Sequence, residues 1–284
     1  MKKIFSLISM MLVMAIVCVN IPSMSVEVNA ATKSKKVQIL FIGNSKTISY
    51  GSPAKTFEAL ANNNGKNVEV TLCGEGGKTL KEIVNTKKYK DIMTKKSYDY
   101  VVMQEGIKPY LGKTTTQYNN YKYGVETIAK LVRQKNPNVK IFIRQVWVGK
   151  EYGTKNQIYG TGQATRKFYI REDEFCTTTD KNRAYGNTKK LAKSIGASVI
   201  YDGYIMGAYN NKYIKLEDNL FRKDNYHQTR YGSAVAATAI YAGIYNEMPT
   251  IKPTYFQHSL NDVFVTPEQI VRIQTIVKAK YGLK

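Results

Sequence analysis

The stretch Val37-Gln38-Ile39-Leu40-Phe41-Ile42-Gly43-Asn44-Ser45 decides the fold, because a compact apolar run ends there in a short polar turn. Apolar runs of this length, bounded by turn-forming residues, are typical of strands that are buried on both faces of a parallel sheet. Ligands of open α/β sheets bind at the carboxyl ends of such strands, so Ser45 is a candidate for exposure in a crevice. The alternative is that Ser45 only caps a following helix.

Strand and helix patterns alternate along the rest of the chain. Further strands are predicted at 68–72, 98–103, 139–143 and 198–201, and helices at 53–61, 80–93 (broken), 121–132, 183–195 and 230–245. This alternation predicts an α/β fold in which helices cover both faces of a central parallel sheet, a three-layer α/β/α sandwich. Thr266-Pro267-Glu268-Gln269 has the pattern of a capping box and predicts a final helix. The glycine- and tyrosine-containing segment 147–176 is irregular and is either a substrate wall or a structural insertion.

The N-terminus has the features of a secretory signal. Lys2 and Lys3 precede an apolar run over 4–19, and Val28-Asn29-Ala30 resembles a cleavage site. We therefore expect a signal peptide over 1–30, a short polar lead-in over 31–36 and one domain over 37–284. An uncleaved membrane anchor is the alternative. The prediction is a secreted protein, extracellular or associated with the cell wall, with no membrane contact after cleavage.

The chain is strongly basic, with 43 Lys and Arg against 21 Asp and Glu and a formal net charge of +22. Such a charge indicates partners and solubility rather than fold. The lysines are scattered, and no basic helix, zinc knuckle or RNA-binding signature accompanies them, so nucleic acid is not an expected partner. Anionic cell-wall polymers or acidic glycans are the expected partners of an exported protein, and a merely solvated basic surface is the alternative.

Few metal-ligating or redox-active side chains remain after the signal peptide. Two cysteines, Cys73 and Cys176, do not make a disulfide scaffold, and free buried thiols are favoured. With two histidines at unrelated spacings they do not form a metal-ligand set, so no metal is expected. A thiol enzyme that pairs Cys73 with His227 is disfavoured, because nothing beside Cys73 would lower the pKa of its thiol.

A nucleophilic serine needs a base, and the chain has only His227 and His258 for this role. In Asp224-Asn225-Tyr226-His227, a carboxylate three residues back can curl round a short loop to the imidazole. There it would fix the tautomer of the ring. His258 has Asn261 and Asp262 nearby and stays the second candidate, and a surface or helix-capping role is the alternative for His227.

Donors for a developing oxyanion follow the second and third predicted strands. The turn Gly74-Glu75-Gly76-Gly77-Lys78-Thr79 offers unobstructed backbone N–H groups, although an ordinary glycine turn would look the same. Gln104 at the end of the third strand has an amide that could donate into the same crevice. Glu105 is either a supporting group or a solvated charge.

The order of these features resembles the SGNH hydrolases, the GDSL-like esterase superfamily, over roughly residues 37–246. Gly43-Asn44-Ser45 matches the first block, with asparagine in place of the usual aspartate, Gly77 matches the second, and Asp224-Asn225-Tyr226-His227 matches the last. The third block departs, because Gln104-Glu105 stands where Gly-x-Asn-Asp is common. This is similar to a branch of the superfamily with glutamine and glutamate there.

The resemblance implies a flavodoxin-like three-layer fold without metal or organic cofactor. It implies Ser45 as the nucleophile, His227 as the base and Asp224 as the group that orients it. The N–H groups of Ser45 and Gly77, with the side chain of Gln104, are the implied oxyanion donors.

The expected function is a secreted esterase that hydrolyses acetyl or similar esters on a carbohydrate or cell-wall polymer. A sugar O-acyltransferase with the same catalytic residues is one alternative. A non-catalytic glycan- or wall-binding protein of the same fold is the other.

Overall fold

The computed structural model of the chain describes residues 35–49, 51–107, 109, 114–147, 184–213, 219–222, 224, 226–256 and 265–284. Apart from Lys35, all of these belong to one unit, Lys36–Lys284. The predicted signal peptide, most of the lead-in, Cys176, His258 and the segment 148–176 lie outside the described residues.

Five parallel strands of the described residues form the sheet. They are β1 (Val37–Gly43), β2 (Val68–Gly74), β3 (Tyr100–Met103), β4 (Lys140–Arg144) and β5 (Ser198–Ile200). Their order is β2-β1-β3-β4-β5, so the direction of winding changes between β1 and β3. Crevices in open α/β sheets form at such a switch point, outside the carboxyl ends of the strands. The predicted central parallel sheet is confirmed, and the strand that ends before Ser45 lies at the switch.

Helices cover both faces of the sheet, which confirms the three-layer sandwich. They are α1 (Ser45–Ile48), α2 (Pro53–Asn63), α3 (Leu80–Val84), α4 (Lys87–Lys95), α5 (Thr115–Lys135), α6 (Ala184–Ser194), α7 (Asp202–Lys212), α8 (Arg230–Tyr245) and α9 (Pro267–Tyr281). Helices α2, α7, α8 and α9 pack on one face, and α3 to α6 pack on the other. The helix predicted over 80–93 breaks between α3 and α4, where Thr86 caps α4, and α9 opens with the predicted capping box.

β1 shows why its sequence pattern is continuous rather than alternating. Ile39 and Phe41 belong to the core on one face of the sheet, and Leu40 and Ile42 belong to the core on the other. All four side chains are fully buried. A strand covered by helices on both sides needs apolar residues at successive positions. The continuous apolar run that predicted β1 therefore also indicates that the strand is central in the sheet.

The sequence patterns do not predict helix α7. It is buried on several sides, so its sequence lacks the single apolar stripe of an amphipathic helix. It begins in close contact with the chain after β4: a Cβ atom at Gly203 would lie 2.0 Å from the backbone oxygen of Gln145. Only glycine permits this approach, which fixes where α7 starts.

A buried ion pair joins β4 to α7. Arg144 ends β4 and Asp202 begins α7, and both side chains are fully buried. The guanidinium donates to Asp202 Oδ2 from Nη2 at 2.6 Å and from Nε at 3.0 Å. Its Nη1 donates to Thr47 Oγ1 at 2.8 Å. Since Thr47 lies in α1, the pair also holds the turn that contains Ser45.

Arg144→Met should lower the free energy of unfolding by about 3–5 kcal/mol, because it leaves the Asp202 carboxylate buried without its cation. Urea denaturation measures the change. The double variant Arg144→Met/Asp202→Leu should be more stable than Arg144→Met alone, since it removes both charges.

Lys87→Met is the control, because it breaks the Lys87–Asp91 pair, which has the same 2.6 Å separation but lies in solvent. It should leave stability almost unchanged. An Arg144→Met protein as stable as this control would contradict the prediction.

Candidate active site

The turn after β1 presents Ser45 at the start of α1. Asn44 caps this helix, and its Oδ1 accepts the N–H of Lys46 at 3.3 Å. A Cβ atom at Gly43 would lie 2.5 Å from Thr47 Oγ1 and 2.7 Å from Gln104 Oε1. Glycine is therefore required before Asn44, and the chain turns tightly enough to place Ser45 directly above the end of the strand.

The turn after β2 brings Gly77 to the same edge of the sheet. A Cβ atom at Gly74 would lie 1.8 Å from the backbone oxygen of Gly43, so glycine allows the ends of β1 and β2 to meet. Gly77 has φ +78°, a left-handed conformation that favours glycine. Of the described residues, none comes within 4 Å of the place a Cβ of Gly77 would occupy, so its backbone is open to the cavity.

His227 lies between Ser45 and Asp224. Its Nε2 is 2.9 Å from Ser45 Oγ, and its Nδ1 is 2.7 Å from Asp224 Oδ2. The other carboxylate oxygen, Oδ1, accepts the backbone N–H groups of Tyr226 and His227, each at 2.9 Å. The short loop curls round its own carboxylate, which is the geometry that the spacing Asp-x-x-His allows.

The carboxyl group of Asp224 stays ionised in this loop. Partial burial opposes ionisation, but hydrogen bonds from His227 and Tyr226 outweigh it, and the pKa of Asp224 lies below its ordinary value. A carboxylate can only accept, so it favours the neutral imidazole tautomer with the proton on Nδ1. Nε2 then faces Ser45 Oγ as an acceptor, which is what removal of the serine proton requires.

A cavity of about 380 Å³ opens beside these residues. Its described lining includes polar and apolar side chains: Asn44, Ser45, Gly77, Thr79, Gly106, Ile107, Pro109, Tyr226 and His227. Ser45, Gly77 and His227 therefore meet at one cavity, with Asp224 bonded to the far nitrogen of the imidazole. Residues from three separate parts of the chain come together at the carboxyl edge of the sheet.

Gln104 lies next to the turn that carries Ser45 and is not among the described residues that line the cavity. Its Oε1 accepts the N–H of Asn44 at 3.1 Å and the hydroxyl of Thr47 at 2.9 Å, and its Nε2 donates to the backbone oxygen of Glu105. The side chain is 1% exposed. Gln104 thus supports the turn from below, and its amide nitrogen would have to leave Glu105 to reach an oxyanion.

Asn44 takes a structural part that its sequence position did not predict. It lines the cavity, and its Nδ2 donates to the backbone oxygen of Lys78 at 3.2 Å. This bond joins the turn that carries Ser45 to the loop that carries Gly77. One feature of the sequence points to this part: an asparagine precedes Ser45 where the family that the sequence resembles usually has aspartate. No sequence pattern points to Thr47 or Arg144, which hold the turn from the other side.

Glu105 is a buried supporting group and not a solvated charge. Its Oε1 accepts the N–H groups of Leu80 at 3.0 Å and Gly106 at 2.5 Å. Desolvation raises the pKa of Glu105 to about 8, despite these two hydrogen bonds. The group joins the end of β3 to the start of α3, and at neutral pH it is mostly a neutral carboxylic acid.

Other chemistries find little support at this site. Cys73 is a free thiol within the core, and desolvation raises its pKa to about 11, so almost no thiolate forms at neutral pH. Among the described residues, no group of three or more His, Cys, Asp or Glu side chains is arranged to hold a metal ion. None of the described helices is long and apolar enough to cross a membrane.

Comparison with known proteins identifies the fold. No family model and no curated protein matches the chain. The acetyl xylan esterase AlAXEase superposes with a TM-score of 0.52 at 18% identity, over 73% of this chain and all of that one. A Parabacteroides merdae protein named as a GDSL-like lipase gives 0.51 at 15% identity, over 72% and 94%. The esterase EstA from Pseudoalteromonas sp. gives 0.50 at 11% identity, over 74% and 97%.

These similarities show that the chain shares the three-layer α/β/α fold of these two esterases and of the GDSL-like lipase. The fold that the sequence resemblance implied is thereby confirmed.

Glu105→Gln should remove a pH dependence from the stability of the protein. Between pH 4.5 and about 8 the carboxyl group is ionised in the unfolded chain and neutral in the folded one. Folding then takes up a proton, so raising the pH lowers stability, by at most about 1.4 kcal/mol per pH unit. Glutamine is neutral in both states and lacks this loss.

Urea denaturation from about pH 5 to pH 8 measures the effect. The free energy of unfolding of the wild type minus that of Glu105→Gln should fall as the pH rises. Glu126→Gln, which changes an exposed glutamate of α5, should keep the wild-type slope. Parallel curves for wild type and Glu105→Gln would refute a neutral buried carboxyl.

Proposed function

We propose that the protein is a serine esterase. The observation that carries this proposal is the unbroken line of hydrogen bonds from Ser45 Oγ through His227 to Asp224, at 2.9 and 2.7 Å. Both distances lie within the reach that an activated nucleophile and its base need. Ser45, at one end of this line, borders a cavity large enough to admit a small acyl group.

In the proposed reaction, Ser45 Oγ attacks the ester carbonyl while His227 Nε2 takes its proton. The tetrahedral intermediate collapses, and His227 returns the proton to the departing alcohol. Water, deprotonated by His227, then attacks the acyl-enzyme and releases the acid and the free Ser45 hydroxyl. Asp224 stabilises the imidazolium that forms in both halves and remains ionised throughout.

The backbone N–H groups of Ser45 and Gly77 are the proposed oxyanion donors, because both residues line the cavity beside the nucleophile. One such donor typically contributes about 3 kcal/mol to lowering the barrier. Gln104 stays a predicted third donor that would act only if its Nε2 exchanged the Glu105 carbonyl for the oxyanion. In the described arrangement its contribution is to hold the N–H of Asn44 and the hydroxyl of Thr47.

The proposed substrate is an acetyl or similar ester on a carbohydrate or cell-wall polymer outside the cell. Three features support it: the net charge of +22, the signal-like N-terminus and the structural similarity to an acetyl xylan esterase. A basic surface attracts an anionic polymer and raises its concentration near the cavity. Transfer of the acyl group to a sugar would use the same residues and differs only in the acceptor.

Ser45→Ala should lower kcat/KM for p-nitrophenyl acetate and acetylated xylo-oligosaccharides by about 10⁴-fold or more, because the nucleophile is lost. A fluorophosphonate probe should label the wild type and not the variant. Ser194→Ala is the control, since it removes a hydroxyl of α6 that donates to the backbone oxygen of Leu191.

Equal rates for wild type and Ser45→Ala would overturn the esterase proposal and favour a binding role. Acetylated sugar formed when a free sugar is added would identify acyl transfer.

Asp224→Asn should lower kcat by about 10²- to 10⁴-fold with little change in KM. Asparagine keeps an oxygen for the N–H groups of Tyr226 and His227, but it presents an amide donor to Nδ1 and so disfavours the required tautomer. Steady-state kinetics on the same esters measure the effect, and Asp91→Asn on exposed α4 serves as control. A kcat close to the wild-type value would exclude Asp224 as the orienting group.

A further inference from the structure

Lys46 directly follows the nucleophile, yet its side chain is 1% exposed. Its ammonium nitrogen lies 4.2 Å from the ring centroid of Trp147 and 4.0 Å from that of Tyr226. A buried ammonium is costly unless other groups compensate its charge. Two aromatic faces provide such compensation here, because their electron-rich surfaces attract the cation.

The same ammonium reaches the loop that carries the base. Lys46 Nζ donates to the backbone oxygen of Tyr226 at 3.0 Å, and Trp147 Nε1 donates to the same oxygen at 2.9 Å. Tyr226 immediately precedes His227, and their rings meet edge to face with centroids 4.8 Å apart. We call Lys46 and Trp147, together with the Tyr226 oxygen that they hold, the Tyr226 clamp.

The bonds within the base loop do not by themselves fix its distance from Ser45. Asp224 binds N–H groups and an imidazole of its own loop, so these bonds would move with the loop as one body. Links between the loop and the nucleophile turn have to come from elsewhere. The Tyr226 clamp is one, and Gln228 Nε2, which donates to the backbone oxygen of Ser49 at 3.0 Å, is another.

We propose that Lys46 is a positioning residue for the reaction: through the Tyr226 clamp it sets the distance between Ser45 Oγ and His227 Nε2. The inference rests on the proposed esterase function and adds to it a residue that is not among the described residues lining the cavity. Lys46 suits this role because its backbone is covalently joined to Ser45, while its ammonium is hydrogen-bonded to the residue next to His227. Displacing a catalytic group by about 1 Å can cost on the order of 100-fold in rate.

The test compares Lys46→Met and Lys46→Arg with the wild type in ester hydrolysis. Methionine fills the site without a charge or a donor, and should lower kcat by about 10- to 100-fold with KM within about twofold. Arginine keeps a cation and N–H donors, and should restore most of kcat. A purely structural lysine would lower the thermal midpoint without this division between kcat and KM.

Lys280→Met is the matched control. Lys280 also lies over two rings, Tyr201 at 4.0 Å and Tyr204 at 4.3 Å, and it belongs to α9 rather than to the site. Lys280 is half-buried, so its loss should lower stability less than Lys46→Met does, and it should leave kcat unchanged. A fall in kcat of the same size in both variants would overturn the proposal.

Trp147→Phe tests the clamp independently, because it keeps an aromatic ring beside Lys46 but removes the Nε1–H donor to Tyr226 together with part of the indole. It should lower kcat, and the double variant with Lys46→Met should lose less than the product of the single losses, since both act on one carbonyl. If Lys46→Met does not fold, an undiminished kcat in Trp147→Phe overturns the clamp.

The proposed function and the clamp fail in different ways. If the wild-type protein shows no hydrolysis that depends on Ser45, the proposed function is wrong. If hydrolysis depends on Ser45 but is as fast in Lys46→Met as in the wild type, only the proposed role of Lys46 is wrong.

Discussion

A buried guanidinium holds the part of the molecule on which the site depends. Arg144 binds the Asp202 carboxylate on one side and the Thr47 hydroxyl on the other, so the end of β4, the start of α7 and the turn after β1 meet at one cation. Gln104 Oε1 accepts hydrogen bonds from both the Thr47 hydroxyl and the N–H of Asn44. Polar networks in a low-dielectric interior tolerate little displacement, because each unpaired member is costly. The turn that carries Ser45 is therefore held rigidly.

The sheet order explains why a cavity forms above the turn that carries Ser45. Chain connections leave in opposite directions from β1 and β3, and the space between them stays open at the carboxyl edge. Gly43 and Gly74 let the strand ends approach more closely than any side chain would permit. The loop that carries His227 reaches the cavity from far along the chain, just before α8. The adjacent ends of two strands thus form one side of the site, and a loop distant in sequence forms the other.

Two carboxyl groups near this edge show how environment separates their roles. Glu105 is buried and receives two N–H hydrogen bonds, and desolvation holds its pKa at about 8. Asp224 is half-buried and receives hydrogen bonds from two N–H groups and an imidazole, which hold its pKa below the ordinary value. One group is mostly neutral at pH 7 and joins two elements of the fold. The other is ionised and able to orient a base.

The sequence by itself determined the sheet, most of its covering helices and the spacing of Asp224 and His227, because apolar periodicity and short loops are local properties. It could not predict α7, which is buried on several sides and shows no apolar stripe. Nor could it show that the Gln104 amide points to Glu105, or that Lys46 and Arg144 are buried beneath the turn. Those outcomes depend on which distant groups meet a side chain, and only tertiary packing decides that.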